Sequence, residues 1–150
     1  MKAIILTYAP VPESEQEFLK STKIFKLALN NHAEEYKPDL RICSDYILSD
    51  ICRDFPQKVV SVREKFRFTT DRVEYFPNFQ GATISFGIEY LIFKGYDEIL
   101  IIGDNTVNTK EFQERVNKYI EQVKEKASIY QYTNGNFNLP VKSITEFCSL

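Results

Sequence analysis

Residues 80–105, QGATISFGIEYLIFKGYDEILIIGDN, decide the fold of this chain. The pattern predicts a loop, a helix over residues 82–93 and a strand over Glu98–Ile102 that stops at a Gly-Asp-Asn turn. The short, uninterrupted apolar run is typical of a strand that is buried on both faces of a parallel sheet. Gly95 lies just past the helix, where glycine commonly ends helices, and Gly87 inside the helix predicts close packing against the sheet.

The rest of the chain alternates strands with helices in the same way. Further strands are predicted over residues 3–7, 23–29, 40–43, 58–62 and 128–132, with a short one over 73–76, and helices over 13–21 and 47–55. Asn108 and Glu111 form a predicted capping box. The helix after it carries an apolar stripe of Phe112, Val116, Tyr119, Ile120 and Val123. This alternation predicts an α/β fold, a single three-layer domain over residues 1–150 with a mostly parallel sheet.

Composition and charge argue against several classes of protein. The apolar content of 43% can fill a core in a chain of 150 residues, and the net charge of −2 argues against nucleic-acid binding, which needs a dense basic face. Cysteines at positions 43, 52 and 148 match no metal-binding spacing, so we expect no metal, and reduced thiols in a cytoplasmic protein. No apolar run reaches the ~20 residues of a membrane span, and the apolar run at the amino end is too short for a signal peptide.

Short polar side chains follow five of the predicted strands. In a parallel sheet the carboxyl ends of all strands meet at one edge, and open α/β sheets bind ligands at that edge. Amide, hydroxyl and carboxylate groups suit a ribose, a base edge or a sugar, although the same residue types also favour turns at any strand end. The predicted ligand-binding residues of this edge are Thr7, Tyr8, Asn30, Asn31, Ser44, Asp45, Asp104, Asn105, Thr133 and Asn134.

A phosphate site is predicted at the start of the helix over residues 82–93, because the first N–H groups of a helix lack backbone partners. Its residues are Gln80, Gly81, Ala82 and Thr83. The chain contains no G-x-G-x-x-G and no G-x-x-x-x-G-K-[ST] motif. Candidate acids or bases for catalysis are Asp45, Asp104 and the single histidine, His32. A basic cluster could clamp a diphosphate or acidic sugar, or form a solvated strand face; it consists of Arg63, Lys65, Arg67 and Arg72.

Four segments, in order along the chain, carry a family resemblance. They are the opening strand with Pro10 in its loop, the two strands that end at Asn31 and Asp45, residues 80–103, and residues 129–135 before Pro140. Together they resemble a bacterial group of Rossmann-like proteins that includes motility accessory factors of flagellar glycosylation, a pterin diphosphokinase family and, more distantly, CMP-sialic-acid-dependent sialyltransferases. The resemblance implies a Rossmann-like domain and a glycosyltransferase-like function in surface carbohydrate or flagellin glycosylation, with a CMP- or UDP-linked sugar as the ligand.

Three departures from this group concern catalysis. Where the group has a Gly-x-Gly-Pro-Ser type of loop, this chain has Thr7-Tyr8-Ala9-Pro10-Val11, whose side chains would crowd a phosphate. The position of the group's acid after the central strand falls on Asn105, and the carboxylate lies one residue earlier at Asp104. No histidine follows His32, so the late histidine base of the sialyltransferases has no counterpart.

Three hypotheses are open from the sequence. The first is a glycosyltransferase-like domain in which Asn31 and Asp45 contact the ribose or base of a nucleotide or nucleotide-sugar, and Asp104 or Asn105 holds the sugar. The second is a non-catalytic accessory or interaction protein of the same fold, acting as a homo-oligomer or with a protein partner. The third is a pterin diphosphokinase-like enzyme that acts with ATP and magnesium.

Overall fold

The computed structural model describes residues 1–7, 11–43, 55–61, 73–76, 82–103, 109–133 and 135–149. These ranges contain seven strands: β1 (Lys2–Leu6), β2 (Phe25–Leu29), β3 (Leu40–Cys43), β4 (Lys58–Ser61), β5 (Val73–Tyr75), β6 (Glu98–Ile102) and β7 (Ser128–Gln131). The helices of the same ranges are α1 (Glu13–Ser21), α2 (Thr83–Phe93), α3 (Lys110–Val123) and α4 (Ile144–Cys148), with a 3₁₀ turn at Glu34–Tyr36.

The seven strands form one sheet in the order β5-β4-β3-β2-β1-β6-β7, and every neighbouring pair is parallel. Because strand side chains alternate between faces, Ala3 and Ile5 of β1 pack in the core that α2 and α3 cover. Ile4 and Leu6 pack in the core that α1 and α4 cover on the opposite face. The predicted α/β fold is therefore confirmed as a Rossmann-like, three-layer arrangement around a parallel sheet.

The strand order reverses its direction at β1. From β1 the chain proceeds outward through β2, β3, β4 and β5 on one side, and β6 and β7 then occupy the other side. Leu6, the last residue of β1, pairs with Ala28 of β2 and with Ile102 of β6. In open α/β sheets the connections on either side of such a reversal leave opposite faces, which opens a crevice at the carboxyl ends of the two strands. Here that crevice lies between β1 and β6.

Most helix and strand predictions agree with the structure, and the differences are local. The capping residue of α3 is Thr109, whose hydroxyl accepts from the Phe112 N–H at 3.2 Å, so the capping box based on Asn108 was wrong. Thr109 takes this role because its backbone is extended directly before the first helical residue, which brings its side chain over the first turn. Helix α4, capped by Ser143, had not been predicted. The helix expected over residues 47–55 falls almost entirely outside the described residues.

Helix α2 packs directly onto the sheet at Gly87, as its sequence predicted. A Cβ atom at Gly87 would lie 3.3 Å from Leu29 Cδ2, 3.4 Å from Leu27 Cδ2 and 3.7 Å from Ile5 Cδ1. Gly95 ends the helix region with a φ of 95°, which side chains disfavour. The close approach explains the glycine at position 87 inside α2, and the positive φ explains the glycine at position 95 after it.

The apolar stripe predicted for α3 is also confirmed. Val116, Tyr119, Ile120 and Val123 are buried, and Phe112 packs partly buried against the same core. None of the helices in the described ranges has the length and apolar character needed to cross a bilayer.

Two lysines in the strands stabilise the carboxyl ends of helices on one face of the sheet. The ammonium of Lys26 in β2 donates to the carbonyls of Leu19 and Lys20 at 3.0 and 3.3 Å, at the end of α1. The ammonium of Lys2 in β1 donates to the carbonyls of Phe147 and Ser149 at 2.7 and 2.8 Å, at the end of α4. A cation there satisfies orphan carbonyls and opposes the helix dipole. These contacts explain how strands of a parallel sheet accommodate charged residues.

The cysteines differ from the prediction that all three are reduced. Cys43, the last residue of β3, is disulfide-bonded, whereas Cys148 is a free thiol. The prediction was therefore wrong for Cys43. Spacing along the sequence matched no metal motif but carried no information on how closely two thiols approach in the fold, which is what decides disulfide formation.

Candidate functional site

The carboxyl edge of the sheet brings together the described members of the predicted site. The Thr7 N–H donates to the Ile102 carbonyl at 3.0 Å, and the Asn30 N–H donates to the Ile42 carbonyl at 2.8 Å. The Tyr132 N–H donates to the Ile101 carbonyl at 2.9 Å. These bonds extend the parallel ladder one step past the strands, so Thr7, Asn30 and the residue after Tyr132, Thr133, lie along one edge. These three positions therefore share the carboxyl edge of the sheet, and their role in binding a ligand stays a prediction.

Several predicted site residues lie outside the described residues. They are Tyr8, Ser44, Asp45, Gln80, Gly81, Asp104, Asn105 and Asn134, together with the basic cluster of Arg63, Lys65, Arg67 and Arg72. Their roles stay predictions. Of the three candidate catalytic residues, only His32 can be assigned a structural environment.

Helix α2 points its amino end at the same edge. Its carboxyl end leads through Gly95 to Asp97, whose N–H donates to the Met1 carbonyl at the opposite edge, beside the start of β1. The residue before its first turn is Ala82, which has no side-chain oxygen to cap the helix. Within that first turn the buried hydroxyl of Ser85 has no hydrogen-bond partner among the described residues. Ala82 and Thr83 thus lie at the amino end of α2, and their role in binding a phosphate stays a prediction.

The crevice between β1 and β6 is bounded by Thr7 on one strand and Gly103 on the other. Gly103 follows β6 directly and has a φ of 109°, a left-handed conformation that glycine adopts without strain. Glycine there also leaves no side chain between the end of β6 and an approaching ligand. Thr7, directly past β1, is largely buried, with 8% of its surface exposed.

A buried arginine supports the part of the edge that carries Asn30 and His32. Arg41 lies in β3 with none of its surface exposed. Its guanidinium donates to the Asn30 carbonyl at 2.8 Å, to the His32 carbonyl at 2.6 Å and to Glu34 Oε2 at 2.6 Å. The other oxygen of Glu34 accepts from the Gln57 amide at 3.0 Å. Arg41 therefore determines the path of the chain from Asn30 to Glu34.

Arg41 was not predicted to have a role, because LRIC was predicted only as the third strand. A charged residue in a short strand of a parallel sheet is the signal that could have identified it, because a buried guanidinium needs hydrogen-bond partners. Its guanidinium carbon also lies 4.2 Å from the centre of the Phe55 ring, a cation–π distance.

His32 is neutral in this environment. Burial, followed by the positive charge of Arg41, lowers the pKa of the imidazole below its ordinary value, and Glu35 opposes this only in part. A neutral imidazole can accept a proton, and the charges of Arg41 and Glu35 act on its pKa in opposite directions. Within the described ranges, no three His, Cys, Asp or Glu side chains cluster as a metal site would require.

On the face of the sheet that α1 and α4 cover, Tyr132 joins the end of β7 to α1. The Tyr132 hydroxyl donates a hydrogen bond to Glu15 Oε2. Burial, and then the hydrogen bond to Glu15 and its charge, raise the pKa of Tyr132 to about 12. Tyr132 is buried, and its hydroxyl has a specific partner in Glu15.

This linkage predicts how stability depends on pH. Because the folded pKa of Tyr132 lies above the ordinary value of 10, the unfolded chain loses the proton first, and the contribution of Tyr132 is present below pH 10 and lost as pH rises through about 12. We expect the free energy of unfolding of Tyr132→Phe to decline less steeply than that of the parent chain between these values, as measured by urea denaturation. Equal slopes would contradict the assignment. Some decline should remain, since burial also raises the pKa of Tyr90 and Tyr119.

No family model, curated protein or solved structure matches this chain. The class of protein is therefore defined by the molecule itself. It is a Rossmann-like α/β protein whose parallel sheet presents Thr7, Asn30, Gly103 and Thr133 along the carboxyl edge on both sides of its topological switch.

Proposed function

We propose that this chain binds a nucleotide or nucleotide-sugar at the carboxyl edge of its sheet, as a glycosyltransferase-like domain. The observation that carries the proposal is the reversal of the strand order between β1 and β6, with polar residues and a glycine directly past the strands that flank it. Ligands of open α/β sheets bind in the crevice at such a reversal.

The described residues suggest how the ligand would be distributed. The phosphates would lie at the amino end of α2, where Ala82 supplies no competing side-chain cap. Asn30 and Asn31 would contact the ribose or base, on the chain segment that Arg41 holds in place. Thr133, beyond β7, would face the sugar. Asp45, Asp104 and Asn105 are predicted to complete this set.

A second candidate function is a non-catalytic accessory protein that uses the same edge for binding. The lowered pKa of His32, which burial and then the charge of Arg41 bring about, favours it, because a lowered pKa makes the imidazole a weaker base. Group transfer would then depend on Asp45 or Asp104. The pterin diphosphokinase alternative also needs clustered carboxylates for magnesium, and it depends on the same two residues.

The proposal predicts that nucleotides stabilise the folded protein. At a ligand concentration ten times Kd, binding adds about 1.4 kcal/mol to the free energy of unfolding, which for a chain of this size raises Tm by about 3–6 °C. The measurement is a thermal-shift panel of CMP, UDP, ADP, a CMP-linked sugar, a UDP-linked sugar and pyrophosphate. Absence of any response at millimolar concentration would remove nucleotide binding from consideration.

A charge variant tests where the phosphate binds. Thr83→Glu places a carboxylate in the first helical position of α2, so it should repel a phosphate and abolish the nucleotide-dependent rise in Tm. The matched control is Lys110→Glu, the same new residue in the first helical position of α3, which should keep the full response. An equal loss in both variants would indicate a non-specific charge effect, and an unchanged response in Thr83→Glu would exclude the start of α2 as the phosphate site.

A further inference from the structure

A separate cavity of about 330 Å³ lies at the opposite, amino edge of the sheet, beneath the end of α2. Residues at or near the starts of strands form one side of it, and the last turns of α2 and the segment after it form the other. The lining residues are Phe25, Leu40, Lys58, Glu74, Tyr90, Lys94 and Tyr96. We name this cavity the amino-edge pocket. Its volume is within the range of small-molecule sites in proteins.

The polar side of the amino-edge pocket consists of donors that converge on one carboxylate. The ammonium groups of Lys58 and Lys94 lie 3.2 and 3.3 Å from the Glu74 oxygens, and the Tyr90 hydroxyl donates to Glu74 Oε2 at 3.2 Å. Burial alone would raise the pKa of Glu74, but the hydrogen bonds and charges of the two lysines outweigh it and lower the pKa. Glu74 is therefore ionised at neutral pH.

The donors of the amino-edge pocket exceed what Glu74 can use. Each ammonium has three N–H donors and pairs with a single carboxylate oxygen, while the side chains of Lys58 and Lys94 remain 48% and 41% exposed. Two lysines against one glutamate leave the lining with a net positive charge. A second carboxylate could therefore bind to the same ammonium groups from the solvent side.

The apolar side of the amino-edge pocket is aromatic. The rings of Phe25 and Tyr96 stack with centroids 5.2 Å apart and planes inclined by 28°, and Leu40 lies beside them in the lining. Flat aromatic surfaces favour planar ligands, because offset stacking adds to the burial of apolar area.

We propose that the amino-edge pocket binds a small planar aromatic carboxylate, whose ring packs on Phe25 and Tyr96 and whose carboxylate joins Glu74 in accepting from Lys58 and Lys94. Glu74 shows that this arrangement of donors holds a carboxylate. The stacked rings of Phe25 and Tyr96 favour a planar aromatic group attached to that carboxylate. The pocket does not overlap the carboxyl edge, so this inference is independent of the nucleotide proposal.

The test is an NMR titration of the whole chain with benzoate and 1-naphthoate, following the backbone amides of the lining residues. Saturable shifts that include Phe25 and Tyr96 are expected, with 1-naphthoate binding more tightly because it covers more aromatic surface. Benzamide, which has the ring without the charge, and cyclohexanecarboxylate, which has the charge without the aromatic ring, should both bind more weakly. Absence of saturable shifts at millimolar ligand, or equal affinity for benzamide and benzoate, would overturn the proposal.

Variants make the test specific. Glu74→Gln removes the competing carboxylate and keeps its shape, so it should strengthen benzoate binding about threefold to fivefold, as expected for a partly exposed charge pair. Lys58→Met and Lys94→Met should each weaken binding by about the same factor. Lys118→Met, on the exposed surface of α3, is the matched control and should leave Kd unchanged. Weaker binding in Glu74→Gln, or equal effects of Lys118→Met and Lys58→Met, would contradict the proposed geometry.

Discussion

Arg41→Ala should lower the free energy of unfolding by about 3 kcal/mol, the lower part of the range for breaking a buried ion pair. The substitution removes a fully buried guanidinium that serves the carbonyls of Asn30 and His32 and the carboxylate of Glu34. It also leaves a void beside Phe55. We take the lower part of the range because the Glu34 side chain is 37% exposed, which lets water solvate the abandoned carboxylate. The measurement is urea denaturation at neutral pH.

A double-mutant cycle separates the ion pair from the rest of the network. Glu34→Gln retains the shape of the side chain and removes its charge, so the coupling between Arg41→Ala and Glu34→Gln reports the charge–charge part alone. Arg115→Ala, on the exposed face of α3, is the control for loss of an arginine and should change stability by less than about 0.5 kcal/mol. If Arg41→Ala costs no more than Arg115→Ala, the network does not hold the chain between Asn30 and Glu34.

The same variant connects stability with the proposed function. Because Arg41 holds the segment that carries Asn30 and His32, its loss should weaken any nucleotide response even in molecules that remain folded. Arg41→Lys keeps a positive charge but has no forked guanidinium to bridge several acceptors. We therefore expect it to resemble Arg41→Ala more closely than the parent chain in its ligand response.

Gly87→Val should be the second most destabilising of the changes considered, with a loss of about 2–3 kcal/mol, typical of overpacking a filled core. Even a single Cβ atom at this position would lie 3.3 Å from Leu29 Cδ2 and 3.4 Å from Leu27 Cδ2. The two further methyl groups of valine have to displace these side chains or lift α2 from the sheet. Urea denaturation and the dispersion of methyl signals in NMR spectra would measure the effect.

Two further variants distinguish crowding from helix propensity. Gly87→Ala gains about 1 kcal/mol of helix propensity, which offsets its mild contact with the flexible ends of the leucines, so its stability should stay close to that of the parent chain. Phe93→Val introduces the same β-branched side chain at a position of α2 that is 67% exposed, and it should cost far less than Gly87→Val. Equal losses for the two valine variants would show that crowding against the sheet is not the cause.

The amino-acid pattern determined the fold of this chain because the relevant signals act over a few neighbouring residues. The apolar runs of β1 and β6, the stripe of α3 and the glycines at positions 87 and 95 each report local burial or backbone conformation. Strands and helices that alternate in this way can all bury their apolar residues when the strands form a parallel sheet that the helices cover. The convergence of Thr7, Asn30 and Thr133 then follows, because parallel strands end at the same edge.

Only the tertiary structure decided which charged residues contact one another in the folded chain. Arg41 depends on carbonyls and a carboxylate from the chain between Asn30 and Glu34. The amino-edge pocket joins Phe25 and Lys58 to Glu74 and Lys94, which lie far apart along the chain. A buried charge is stable only when the fold holds its partners in the correct geometry. The periodicity of a sequence indicates which residues are buried, but it does not indicate which side chains come into contact.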